Sequence, residues 1–112
     1  MPSSYTPRHV TPAALRDALD RLDALFSGPE RWTKGQFARS ADGLPCPFDS
    51  PKAACWCIEG GILWVCGGGA NPLAREMAAL LACHLAGWQD APERAFADIK
   101  RLIAAARVGV GA

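Results

Sequence analysis

Ser50 to Cys66 reads S-P-K-A-A-C-W-C-I-E-G-G-I-L-W-V-C, and the interpretation of this stretch decides the fold. After Pro51 only Lys52, Glu59 and the Gly60-Gly61 pair are not apolar, and Trp56, Trp64, Cys55, Cys57 and Cys66 all fall here. A segment apolar on every side is buried on every side, which predicts a central helix wrapped by the other elements. Ser50 followed by Pro51 fits an N-cap and first helical residue: the hydroxyl accepts from a first-turn N–H, and proline has no N–H to leave unpaired.

Working outward, Thr11-Pro12 opens a first helix by the same device. Leu15, Ala18, Leu19, Leu22, Leu25 and Phe26 recur at three- and four-residue spacing, while Arg16, Asp17, Asp20, Arg21 and Asp23 fill the other face. Gly28-Pro29 ends it. Asn71-Pro72 opens a third helix, with Leu73, Met77, Leu80, Leu81, His84 and Leu85 as its stripe and an end near Gly87. Asp90 and Glu93 form a capping box for a fourth, whose buried stripe is Phe96, Ile99, Leu102, Ile103 and Ala106.

From Glu30 to Asp49 the periodicity lapses. Gly35, Asp42-Gly43, Pro45 and Pro47 punctuate a long loop with room for a short hairpin, Gln36 to Arg39 forming one arm and Asp42-Gly43 the turn. Trp32 and Phe37 are expected to pin this loop to the core. The fold expected is therefore all-α, four helices with the Ser50–Cys66 rod at the centre, in a single domain over 1–112 with residues 1–10 as a flexible lead-in.

Composition narrows the function. The chain has 112 residues, is half apolar and carries a formal charge of +1, so it lacks the basic footprint of a nucleic-acid binder. Ala53 to Ala70 contains one charge, but Glu59 sits near its middle and five glycines interrupt it. A mid-bilayer charge costs roughly 3 kcal/mol, so no membrane span is expected. The opening MPSSYTPRHV has no apolar core of a signal peptide, and five cysteines, an odd number, imply free thiols in the cytoplasm.

Three motifs carry a family resemblance. The chain has R-W-T-K-G-Q-F-A followed by A-D-G, then D-S-P-K-A-A-C-W-C-I-E-G-G, and finally W-Q-D-A-P-E-R-A-F-A-D-I-K-R-L-I-A-A-A. It resembles a family of small bacterial and phage proteins whose members carry W-x-x-G, a later A-x-x-x-C-x-x-G-A and a closing W-N-D-x-P-x-R-T. Trp32, Gly35, Ala38, Asp42, Gly43, Ala54, Cys57, Gly60, Trp88, Asp90, Pro92 and Arg94 match; Gly61, Gln89 and Ala95 stand where Ala, Asn and Thr are usual. The resemblance spans about residues 12 to 106 and implies no activity, cofactor or site.

The chemistry-bearing residues have structural readings as well as functional ones. Structural zinc needs four ligands converging on one point. On a helix, Cys55 and Cys57 would point about 200° apart, so no metal site is assigned. Cys57 with His84 would make a nucleophile-base pair, but no catalytic signature surrounds them, and no catalytic residue or cofactor is assigned. Glu59, buried on the most apolar helix, needs a partner such as Arg94, or a ligand. The Gly67-Gly68-Gly69 run before a helix start lacks the Lys of a phosphate loop and reads as a connector.

Trp32, Lys34, Gln36 and Arg39 cluster in the long loop, and Trp88, Asp90 and Arg94 at the start of the fourth helix. Tryptophans with basic and amide neighbours can stack on and hold a planar anion. Together with Glu59 these form the candidate ligand site. The expected function is a non-catalytic binding module for a small anionic or nucleotide-like ligand or a host protein. The alternatives are a homo-oligomerising structural protein and a Cys/His-dependent enzyme.

Overall fold

The computed structural model describes residues 10–81 and 95–111. Its elements are α1 (Pro12–Leu25), a single 3-10 turn (Pro29–Arg31), β1 (Ala38–Ser40), β2 (Pro45–Cys46), β3 (Ala53–Trp56), α2 (Ile58–Cys66), α3 (Pro72–Leu80) and α4 (Phe96–Gly111). The all-α expectation is overturned: a three-stranded antiparallel sheet, ordered β2-β1-β3, accompanies the four described helices.

The correction falls on the stretch that was to be one rod. Ala53 to Trp56 is a strand, with Ala38 opposite Trp56 and Arg39 opposite Cys55. The chain turns at Cys57, and the helix begins only at Ile58. Cys57 itself is the cap, extended in backbone, its Sγ accepting from the Gly60 N–H at 3.2 Å. Ser50 caps no helix; its Oγ accepts from the Lys52 N–H at 3.1 Å in the turn before β3. An unbroken apolar run suits a buried strand as well as a buried helix, and periodicity cannot separate the two. What decides here is the hairpin of β1 and β2, which offers β3 a partner edge. That hairpin turns where Asp42-Gly43 predicts, with Gly43 at φ +87° and Ser40 N–H donating to the Leu44 carbonyl at 2.9 Å.

The element at the centre is α1, which packs against α2, α3 and α4. Its start follows the sequence rule, with Thr11 Oγ1 accepting from the Ala14 N–H at 3.0 Å. Leu19, Leu22 and Phe26 of this region are fully buried with Ile58, Met77, Leu81, Ile99 and Ile103. At its end Lys100 of α4 donates to the Asp23 and Phe26 carbonyls at 3.0 and 3.1 Å and pairs with Asp23 Oδ1 at 2.6 Å. A cation there satisfies last-turn carbonyls and complements the helix dipole. Val10, assigned to the flexible lead-in, is 3% exposed and belongs to the core.

The ends of α2 and α3 are joined by Asn71. Its Oδ1 accepts from the Leu73 N–H at 2.9 Å, capping α3, and its Nδ2 donates to the Cys66 carbonyl at 2.7 Å. Gly67, at φ +81°, ends α2 in the left-handed conformation, and Gly68 N–H closes back onto Leu63 O at 2.9 Å. This Schellman closure makes the glycine run a helix stop rather than a loose connector. The described α4 begins at Phe96, with Asp98 Oδ2 accepting from the Ala95 N–H at 2.9 Å, the carboxylate half of a capping box. The capping box assigned to Asp90 and Glu93 lies outside the described residues.

Candidate functional site

The first turn of α2 is pressed against two neighbours, and its glycines allow it. A Cβ at Gly60 would overlap the Phe37 carbonyl oxygen and lie 2.7 Å from its carbonyl carbon. At Gly61 it would meet the Phe26 ring at 2.9 Å and Leu22 Cδ1 at 3.1 Å. The missing side chains allow close packing, on a strand end on one side and on α1 on the other. Cys57 N–H donates to the Phe37 carbonyl at 3.2 Å, fixing that backbone. Phe37, expected to pin the loop to the core, instead stands 50% exposed.

Beside that ring lies a groove of about 280 Å³. Ile62 and Leu63 of α2 form one wall and Ala74 and Ala78 of α3 the other; Phe37 and Gly69 complete it. Glu59 and Arg75 bring its only charges among the described residues. Neither side chain has a hydrogen bond or ion pair to a partner among the described residues. Glu59, expected to be deeply buried, is half-buried on the first turn of α2, where the helix dipole favours a carboxylate.

The loop cluster is a different object. Arg39 uses its guanidinium to hold its own loop, donating to Thr33 Oγ1 at 3.0 Å, the Gly43 carbonyl at 3.2 Å and the Lys34 carbonyl at 3.3 Å. Lys34 Nζ stands 5.3 Å from the centre of the Trp32 ring, and Trp32 packs on Phe96 at 6.4 Å. Gln36 is exposed. So Trp32, Lys34 and Arg39 are brought together, while Glu59 faces the separate groove with Phe37. Trp88, Asp90, Arg94 and His84 lie outside the described residues, as does the pairing of Glu59 with Arg94.

Nearby, Trp56 is 5% exposed and its indole donates to the Phe48 carbonyl at 2.9 Å. Trp64 stacks on it at 6.2 Å and is 46% exposed, and the Arg31 guanidinium lies 5.2 Å from the Trp56 ring. Two of the thiols make structural contacts. Cys57 is the α2 cap, and Cys55 Sγ contacts the Arg39 carbonyl at 3.8 Å from a strand rather than a helix. Burial pushes the Cys66 thiol up to about 11, against the pull of the Arg21 guanidinium, so it is protonated at neutral pH. Among the described residues no three His, Cys, Asp or Glu side chains are grouped as a metal ion requires, and no helix is long and apolar enough to cross a membrane.

Residues 7–108, which include the α1 core stripe, the Cys57 cap and both contact glycines, match one family. The chain belongs to DUF6197, a family of unknown function. Neither the curated proteins nor the solved structures contain a match to it. For this DUF6197 member the groove residues missed from sequence were Phe37, Ile62, Leu63, Ala74, Arg75 and Ala78. Ala74 and Ala78 gave a usable signal: small residues four apart on α3, beside larger neighbours, leave a hollow where they face another helix.

Proposed function

We propose that this DUF6197 chain is a non-catalytic binding module whose recognition face is the α2–α3 groove. The observation that carries the reading is an apolar groove of about 280 Å³ beside a half-exposed Phe37, rimmed by a carboxylate and a guanidinium without partners among the described residues. Binding sites are mostly apolar hollows with a few placed polar groups, commonly ~300–1,000 Å³. At the small end of that range the groove suits one inserted apolar side chain or a fragment-sized ligand, with a cationic group toward Glu59 and an anionic group toward Arg75. A cytoplasmic setting, and a bacterial or phage origin, belong to the same reading.

A planar anion at Trp32, Lys34 and Arg39 is the second reading, favoured by the ammonium held over an indole. Against it, three Arg39 donors already serve its own loop. The two are separated by NMR titration of a labelled chain with fragments and with nucleotides. The groove reading expects shifts at Ile62, Leu63, Ala74 and Ala78 that vanish in Ala78→Phe. Shifts confined to residues 32–39, or none in the groove, overturn it.

A further inference from the structure

The occupant of the groove can be named from the groove's own chemistry; this inference rests on the reading just given. Phe37 is a half-exposed aromatic ring whose backbone is fixed by the Cys57 N–H and by the contact with Gly60. An exposed ring on a fixed backbone is a knob. Directly beside it is a hollow of about 280 Å³ with mostly apolar walls, room for one such ring. The same rim carries one acid, Glu59, and one base, Arg75, each without a partner among the described residues.

A two-fold axis makes an interface self-complementary: what one copy offers the other receives, and each contact occurs twice. Knob beside hole and acid beside base is what such an operator requires of a single surface. We propose that a second copy of this chain occupies the groove, each Phe37 entering its partner's hollow and each Glu59 pairing with Arg75 of the other copy. Opposite charges brought face to face fix the orientation of the two copies. The patch is small, and small interfaces associate weakly, so the dimer forms reversibly.

Light scattering and sedimentation of the full chain test this across roughly 10 μM to 1 mM, the range in which weak interfaces fill. The wild type is expected to approach twice the 11.9 kDa mass of one chain as concentration rises. Phe37→Asp is expected to stay at the single mass. Glu59→Arg and Arg75→Glu each set like charges against one another twice, so each alone is expected to be monomeric. Mixing the two restores both opposite-charge pairs, and a heterodimer should form from two non-associating proteins. Circular dichroism and thermal melts establish that each variant is folded, and the mixing result keeps its meaning if either is somewhat less stable. A wild-type monomer at every concentration, or a mixture of the two charge variants that stays monomeric, overturns the proposal. If that monomer still binds fragments in the groove, the binding reading stands with a different partner; if it binds none, both fall.

Discussion

Replacing Gly60 with alanine changes sign between two architectures. Were residues 51–66 one continuous helix, alanine would raise stability, because it is the better helix former by about 1 kcal/mol. In the observed fold the added methyl would overlap the Phe37 carbonyl oxygen and sit 2.7 Å from its carbon. Those are backbone atoms, tied to Cys57 by a 3.2 Å hydrogen bond, and no rotamer change relieves the clash. Overpacking costs about 1–3 kcal/mol, and a backbone neighbour puts this site at the upper end. After the propensity gain, a loss of about 2 kcal/mol remains. For a chain of this size that is a fall of roughly 8 °C in melting midpoint. Gly69→Ala is the control: among the described residues its methyl meets only the end of Leu63, at 3.3 Å. Urea unfolding and thermal melts of both variants measure the difference. Gly60→Ala as stable as wild type, or more stable, refutes the reasoning.

Three further outcomes follow from the same contacts. Lys100→Met removes the cation that holds the Asp23 and Phe26 carbonyls and the Asp23 carboxylate, and should cost about 1–2 kcal/mol in urea unfolding. An unchanged midpoint would remove the seam between α1 and α4 from the account. Arg39→Lys loses the planar fork that serves Thr33, Lys34 and Gly43 together, so the Ser40 and Gly43 amides should exchange with solvent several-fold faster. The Cys66 thiol, raised from 9.0 to about 11 by burial, keeps its proton in the fold after the unfolded chain has lost it. Stability should therefore be unaffected below pH 9 and fall from 9 to 11, by at most about 1.4 kcal/mol per pH unit. Cys66→Ala should flatten that slope, and iodoacetamide at neutral pH should leave Cys66 unlabelled in the folded protein.

The legible parts of the fold were those set by local rules. Helix α1 follows from its apolar spacing and the Thr11-Pro12 start, and the α4 stripe is buried at Ile99, Ile103 and Ala106 as its spacing predicts. Asp42-Gly43 marked the hairpin turn. What the sequence hid was non-local. Ala53–Trp56 carries no period that separates strand from helix, and its state depends on β1, twelve or more residues away. The groove depends on where α3 meets α2, so Phe37 and Arg75 had no signature of their own. The loop site was half legible: the side chains gathered as expected at Trp32, Lys34 and Arg39, but Arg39 already serves Thr33, Lys34 and Gly43.

The break at Cys57 fixes the backbone of Phe37 and seats α2 beside α3, so the groove depends on it. Backbone chemical shifts and cross-strand NOEs of the labelled chain read it directly. Extended shifts are expected over Ala53–Trp56, with contacts from Arg39 to Cys55 and from Ala38 to Trp56, and helical shifts beginning at Ile58. Helical shifts running unbroken from Pro51 to Cys66, with sequential amide contacts throughout and none to residues 38–40, would contradict it.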